Sequence, residues 1–252
     1  MFARKCTAWL LFSLLLASCE KHEDFGIESH GSKLSDLPHA PKAPVFEPEY
    51  GVYAELVRDG EVWQAYISGQ LKGRVQTEDE INEFGDRFRD HAEAMGCESK
   101  VLISADREMP CEELQIPIRA LAASGICNYY FNTRNAKTVG GSGKVHAPKL
   151  DLSMGASVGS AHPILVKITA GGSIYKVDGQ STVLLDEADA GPLLPGLNRT
   201  LTEHGEEAKA AGLRPGLQVL FMEGASYERF VQVLTCAQLH DAYVGVVDAD
   251  AF

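Results

Sequence analysis

The sequence has no apolar run long enough to cross a membrane as a helix. The longest run, residues 6–16, is interrupted only by Thr7 and Ser13. A helix that spans a hydrocarbon core of ~30 Å takes about 20 residues. We therefore expect this segment to be the apolar core of a signal peptide rather than a transmembrane helix.

Clusters of Lys and Arg are also missing. The chain has 252 residues, with 23 Lys and Arg against 35 Asp and Glu, and a formal net charge of −12. Nucleic acids and anionic lipid surfaces are bound through clustered cations that release counterions, so we expect neither as the main partner. With 45% hydrophobic and 23% charged residues, the chain is predicted to be globular rather than disordered or fibrous.

Patterns for metal binding and catalysis are incomplete. The eight histidines are scattered, and no two have the H-x-x-x-H or H-x-H spacing that would indicate a metal site. Residues 155–159 (GASVG) fit G-x-S-x-G, but a nucleophile elbow needs a strand before it and a helix after it. No nucleophile, base and orienting group meet at the ends of predicted elements. We therefore expect no enzyme activity, no cofactor and no metal.

The N-terminus resembles the signal of a bacterial lipoprotein. Arg4 and Lys5 precede the apolar run, which ends in Leu-Ala-Ser-Cys at residues 16–19. Small residues before a cysteine resemble the lipobox, in which the cysteine is lipidated and becomes the new N-terminus. The alternative is an ordinary signal peptide with a chance cysteine. We predict a signal peptide over residues 1–18 and a lipid anchor on Cys19.

The residues after this cysteine bear on location. Glu20 stands where many proteobacterial lipoproteins of the inner membrane carry Asp, so the resemblance favours the outer membrane, with the protein facing the periplasm. Residues 19–48 mix charges with four closely spaced prolines. Such a composition buries little apolar surface, so we predict a flexible tether between the membrane and the folded part.

The remaining sequence repeats one pattern twice. Residues 49–137 read as β-β-α-β-α-β, and residues 161–252 repeat the same order. In the first copy, Thr77 and Glu80 match a capping box at the start of an amphipathic helix. Residues 138–160, rich in Gly and Ser, are predicted to link the copies. We predict an α+β fold of two domains, each a small mixed sheet with two helices packed on one face.

Four segments carry a resemblance to a known family. Residues 101–106 (VLISAD) and 122–126 (AASGI) look like the periplasmic domain of ExbD/TolR proteins, and the second copy is similar through residues 174–179 (IYKVDG) and 227–234 (YERFVQVL). These proteins are proton-driven energy transducers of Gram-negative envelopes that work with an ExbB- or TolQ-like channel partner. TolR-type domains are also linked to peptidoglycan. This chain departs from the family by lacking its transmembrane helix with a proton-carrying Asp and by having two domains.

The resemblance implies a binding role: a non-catalytic accessory component of an ExbB/ExbD- or Tol-like transport system, without its own proton-carrying helix. Because the family pairs such domains, it also implies a pseudo-dimer of the two copies within one chain. A stand-alone lipoprotein that binds a ligand or peptidoglycan, or an envelope hydrolase, are the alternatives. A deep cleft lined by aromatics such as Trp63, Tyr129 and Tyr130 would favour a ligand, and a flat exposed strand edge would favour a protein partner.

Cysteine spacing raises the question of a disulfide. Cys97 precedes one predicted strand and Cys127 begins another. If those strands run parallel through a right-handed crossover, their starts face the same edge of the sheet. An oxidising envelope would then allow a Cys97–Cys127 disulfide, the alternative being free buried thiols.

Two acidic residues are candidate binding groups. Asp106 follows a predicted strand and precedes a helix, and Glu223 lies near the same place in the second copy. Polar groups at the carboxyl end of a strand can reach a ligand, or they can satisfy backbone N–H groups of the turn. Pro117 falls inside the predicted second helix, which therefore either starts later than Cys111 or is bent.

Overall fold

The computed structural model of the chain describes residues 29–34, 36–134, 144–152 and 162–247. The predicted signal peptide, the lipidation site Cys19 and the GASVG pattern lie outside the described residues. Within the described part there are two mixed β-sheets, one from each half of the chain.

The first sheet has six strands. They are β1 (Ala54–Asp59), β2 (Val62–Ile67), β3 (Gln70–Val75), β4 (Lys100–Ser104), β5 (Asn128–Phe131) and β6 (Lys149–Asp151). The second sheet has five, namely β7 (Ile164–Ile168), β8 (Ile174–Asp178), β9 (Ser181–Asp186), β10 (Gly216–Phe221) and β11 (Tyr243–Val247). The α-helices of the described part are α1 (Glu78–Ala94), α2 (Gln115–Ala123), α3 (Pro195–Ala210) and α4 (Tyr227–Leu239).

The two halves share one topology. The strand order is β3-β2-β1-β4-β5-β6 in the first sheet and β11-β10-β7-β8-β9 in the second. Read from the opposite end, the second order matches the first five strands of the first sheet. In both, an antiparallel three-stranded meander is followed by two parallel strands that are reached through helices. The predicted α+β fold with two similar units is confirmed.

Each unit contains one strand more than the sequence predicted. The observed order is β-β-β-α-β-α-β, because β3 and β9 follow the first hairpin of their units. Both extra strands lie at sheet edges and are largely exposed. An edge strand with few buried positions has no clear alternation of apolar and polar residues. The sequence pattern therefore did not predict these two strands.

The first helix forms as its sequence predicts. The Glu80 backbone N–H donates to Thr77 Oγ1, and the Glu80 carboxylate accepts from the Thr77 N–H, which completes the capping box. The helix buries Ile81, Phe84 and Phe88 against the first sheet. These contacts place α1 on one face of the sheet, beside α2.

Pro117 marks a later start for the second helix of the first unit. Cys111–Leu114 forms a short 3₁₀ turn, and the α-helix begins at Gln115. Pro117 therefore lies in the first turn, where backbone N–H groups have no intrahelical acceptor and a missing donor costs little. Of the two possibilities left open by the sequence, the later start is the correct one.

Part of the predicted linker belongs to the first sheet. Within the described residues 144–152, β6 pairs antiparallel with β5, and His146 bridges to Thr133. Leu150 is buried in the core. The sequence did not predict this strand, because three residues are too few to show a periodic pattern and the flanking residues are rich in Gly and Ser.

The predicted tether is also wrong for the described residues 29–34 and 36–48. Phe46 is 1% exposed and packs its ring on Tyr53 and Tyr130. Val45 pairs with His146 through an antiparallel bridge. These residues cover the outer face of the first sheet. Burial of the apolar side chains between the prolines stabilises this packing, although most of the segment is polar. We call residues 29–34 and 36–48 the N-terminal segment.

Candidate functional site

The two units meet through loops that hold the same position in each unit. The β4–α2 loop of the first unit pairs with the β10–α4 loop of the second through an antiparallel bridge between Pro110 and Ser226. The Tyr227 N–H donates to the Met109 carbonyl at 2.8 Å, and the Cys111 N–H donates to the Ala225 carbonyl at 2.7 Å. This exchange of bonds between equivalent loops is locally two-fold symmetric.

Helix α4 packs against both sheets. The Phe230 ring lies 5.2 Å from Phe131 of β5 and 4.9 Å from Phe221 of β10, both edge to face. The Tyr227 hydroxyl donates to the Ile103 carbonyl at 3.2 Å. One hydrophobic core therefore continues from the first unit into the second, and this apolar contact favours one arrangement of the units.

A buried carboxylate holds the N-terminal segment on the first sheet. Glu55 of β1 is fully buried and accepts from the Ser29 hydroxyl at 2.6 Å and from the backbone N–H groups of His30 and Gly31 at 2.9 Å each. The Ser104 hydroxyl donates to it at 3.1 Å. A buried charge needs such partners. The His30 ring packs on Tyr66 rather than on either serine, so this cluster is not arranged as a Ser-His-acid triad.

The N-terminal segment also reaches the second unit. Its Asp36 pairs with Arg107 of the first unit, in the β4–α2 loop that contacts the second unit, at 2.9 Å. The His39 N–H donates to Glu228 of α4 at 3.1 Å, and Gln232 donates its side-chain N–H to the His39 carbonyl at 3.2 Å. The segment therefore joins the two units in addition to the direct contact between their loops.

The structure places the two candidate acids on exposed parts of the paired loops. Asp106 accepts the Glu108 N–H at 3.0 Å, which is an Asx turn, so its carboxylate satisfies the backbone of its own loop. Glu223 is exposed and makes no hydrogen bond to a described residue. The topology brings their loops together, but neither carboxylate lines a described cavity.

Cys97 and Cys127 lie at the same edge of the first sheet, as the sequence predicted, because β4 and β5 run parallel with Lys100 opposite Asn128. Of the two alternatives left open by the sequence, the structure has the free thiols and no Cys97–Cys127 disulfide. Cys97 Sγ lies 3.6 Å from the Met95 carbonyl and Cys127 Sγ lies 3.7 Å from the Gly125 carbonyl. Each sulfur thus contacts a carbonyl of its own turn, a local contact that strand register alone does not predict.

The aromatic residues Trp63, Tyr129 and Tyr130, which could have lined a ligand cleft, line none of the described cavities. Trp63 is buried in the core, with the Arg58 guanidinium 5.5 Å above its ring. Tyr129 is fully buried, and burial raises the pKa of its hydroxyl. Burial also raises the pKa of Tyr130 to about 12. These residues stabilise the first unit rather than line a pocket.

The second sheet presents an exposed edge. Among the described strands, β9 pairs only with β8, and its side chains are exposed from Ser181 to Leu184. Val183 is 55% exposed and Leu184 is 40% exposed. A free edge with apolar side chains can accept a further strand from another chain. Its pairing with β8 contains a register shift at Ile174 and Tyr175, so the edge is exposed and locally irregular.

An open cleft lies where the units and the N-terminal segment meet. It has a volume of about 410 Å³ and is bounded by Lys42 and Pro44, by β6, and by the end of α4 with the start of β11. Such a volume falls within the usual range for ligand pockets. Its walls carry both charged and apolar groups, and Tyr243 is its aromatic residue.

In the part of the chain that the structure describes, no group of three or more His, Cys, Asp or Glu side chains is placed to hold a metal ion. None of the described helices combines the length and the apolar character of a membrane span.

No protein-family model, no curated protein and no solved structure matches the chain.

Proposed function

We propose that this protein is a non-catalytic envelope lipoprotein that binds a protein partner at the edge of its second sheet. The partner class is an ExbB/TolQ-like or ExbD/TolR-like protein, and the role is that of an accessory component without its own proton-carrying helix. The observation that carries the proposal is the exposed edge strand β9, with Val183 and Leu184 open to solvent.

The N-terminus supports attachment to a membrane. Cys19 follows Leu-Ala-Ser after a short apolar run, as in lipoprotein signals. The N-terminal segment packs from Ser29 onward, which leaves about ten residues after Cys19, and a chain of that length spans at most roughly 35 Å. The lipid anchor would therefore hold the folded units close to the bilayer, within reach of a membrane protein.

The contact between the units supports the pseudo-dimer part of the proposal. Equivalent loops of the two units pair around a local two-fold axis at Pro110 and Ser226. Such an isologous contact is the kind that joins two copies in a symmetric dimer. A pseudo-dimer in one chain would leave the outer strand edge β9 available to a partner.

Affinity capture from gently solubilised envelopes tests the proposal. The lipidated wild-type protein should recover an ExbB/TolQ-like or ExbD/TolR-like protein, identified by mass spectrometry. Val183→Lys should abolish recovery, because a charge at the edge disfavours strand addition. Leu71→Lys is the matched control: Leu71 is 59% exposed on β3, the equivalent edge strand of the first unit.

Three results would contradict the proposal. Equal recovery by wild type and Val183→Lys would exclude β9 as the binding edge. Recovery of peptidoglycan fragments without a protein partner would favour the stand-alone wall-binding alternative. If Cys19→Ser left the protein bound to membranes after a salt wash, the lipid anchor would be wrong.

A further inference from the structure

The cleft between the units contains one cation whose charge is not compensated. Within it, Lys149 pairs with Asp151 at 2.9 Å, and Arg214 pairs with Asp241 at 2.7 Å. Lys42, from the N-terminal segment, is exposed and has no ion pair with a described residue. The two charges within each pair cancel, so Lys42 gives the cleft an excess of positive charge. A ligand for this cleft therefore needs an anionic group.

Helix α4 adds acceptors to the same cleft. The side-chain oxygen of Gln238 is buried and has no hydrogen-bond partner among the described residues. Thr235, one turn earlier, uses its hydroxyl proton to bond the Val231 carbonyl at 2.8 Å, so its oxygen can only accept. A buried acceptor without a donor is unfavourable, and a ligand N–H would satisfy it after rotation of the Gln238 side chain toward the cleft.

Apolar walls complete the cleft. Pro44 and Leu239 line it together with Val244, and Leu239 is 48% exposed. A small aliphatic group placed against them would be removed from water. The cleft therefore offers three kinds of contact: one for an anion, one for an N–H donor and one for an aliphatic group.

We propose that this cleft binds a carboxylate with a neighbouring N–H donor, the chemistry shared by an acylated amino acid and the C-terminus of a short peptide. The carboxylate would pair with Lys42, and the adjacent N–H would donate to Gln238 Oε1. The aliphatic side chain would lie against Pro44 and Leu239. This site is separate from the β9 edge and does not depend on the partner proposed for that edge.

The site is complete only while the N-terminal segment is packed, because that segment supplies Lys42. A ligand that bridges Lys42 and α4 would bind the packed state and not the released one. By linkage, it would therefore stabilise the packing of the N-terminal segment.

Isothermal titration calorimetry on the full-length protein in detergent tests the site. The probes are N-acetylalanine, N-acetyl-alanyl-alanine, the C-terminal amide of that dipeptide, and acetate. We expect the two probes with both groups to bind, and the amide and acetate to bind about tenfold more weakly or not at all, since each lacks one contact. Stronger binding of the dipeptide than of N-acetylalanine would identify a peptide C-terminus as the ligand.

Two variants locate the binding. Lys42→Gln should weaken binding of the dipeptide about tenfold, because it removes the anion contact. Lys209→Gln is the matched control, since Lys209 is exposed at the end of α3 and outside the cleft. Circular dichroism on both variants checks that the fold is retained.

The proposal would be overturned by absence of binding of all four probes at millimolar concentration, or by equal binding of the dipeptide and its amide. It would also be overturned if Lys42→Gln and Lys209→Gln bound like wild type. None of these results bears on capture of a partner by β9, so the two proposals fail independently.

Discussion

The Ser29 hydroxyl donates to the fully buried carboxylate of Glu55 at 2.6 Å, across 26 residues of sequence. This contact fixes the first described residue of the N-terminal segment on the first sheet. By strand register, Leu165 and Leu220 take the places of Glu55 and Ser104 in the second sheet. The polar recess is therefore specific to the first unit, which explains why the segment packs there.

Removal of this carboxylate should release the N-terminal segment. Glu55→Leu introduces the residue of the second unit and leaves four donors without an acceptor, two of them backbone N–H groups. We expect the free energy of unfolding to fall by roughly 2–4 kcal/mol, from the cost of buried groups left unpaired. Urea denaturation measures the loss, and hydrogen exchange should accelerate at the His30 and Gly31 amides.

The control for this variant is Glu61→Leu, at an exposed position of the hairpin turn, which should change the stability by less than about 0.5 kcal/mol. Unchanged exchange at His30 and Gly31 in Glu55→Leu would show that other contacts hold the segment.

The two units should unfold together. Phe230 packs on both sheets, so Phe230→Ala should cost about 3–5 kcal/mol and destabilise the first unit as well as the second. Fluorescence of Trp63 reports the first unit, because the other tryptophan, Trp9, lies in the predicted signal peptide, and far-ultraviolet circular dichroism reports both. We expect the two urea transitions to coincide and to shift by the same amount.

For this second prediction the control is Leu239→Ala, on the exposed side of the same helix, which should have little effect. A Trp63 transition that stays in place while the dichroism transition shifts would show that the units unfold independently.

The four thiols of the described residues should divide into two classes. Cys111 and Cys236 are buried; burial raises the pKa of Cys111 and raises that of Cys236 to about 12. Because the thiolate is the reactive form, we expect alkylation of the native protein at pH 8 to label Cys97 and Cys127 and to spare the buried pair. Peptide mapping by mass spectrometry measures the labelling.

The same peptide map tests the free state of Cys97 and Cys127. A linked Cys97–Cys127 peptide in the non-reduced digest would contradict the structure and restore the disulfide that the sequence allows. In urea all four thiols should react, which controls for access of the reagent.

Stability should fall in mild acid through a histidine of the second unit. His240 Nε2 lies 2.5 Å from Asn198 Oδ1, and burial lowers the pKa of the imidazole from its ordinary 6.5. Because the unfolded chain then binds the proton more tightly, the contribution is present above pH 6.5 and is lost as the pH falls below it. Urea denaturation at pH 7.5 and 5.0 should show a smaller loss in His240→Gln than in wild type.

An equal loss in wild type and His240→Gln would assign the acid sensitivity to other groups. His204 is one of them, because burial, with a contribution from Lys176, also lowers its pKa. The double variant with His204→Gln would then separate the two histidines.

Local signals in the sequence predicted much of the secondary structure. The Thr77–Glu80 capping box and the apolar spacing of α1 depend on residues within a few positions of one another, so they were readable without the fold. The repeated order of elements was readable for the same reason. The edge strands β3 and β9 and the short strand β6 were missed, because edge positions and three-residue strands carry little periodicity.

The sequence by itself determined the two similar units and the start of α1 at its capping box, and it predicts a lipoprotein-like N-terminus. Only the tertiary structure decided that the N-terminal segment packs on Glu55, that equivalent loops pair at Pro110 and Ser226, and that a cleft forms beside Lys42. These features join residues that are far apart in the chain, as Tyr227 and Ile103 are by 124 positions. Local propensity carries no information about such pairings, because their free energy depends on burial that exists only once both units have folded.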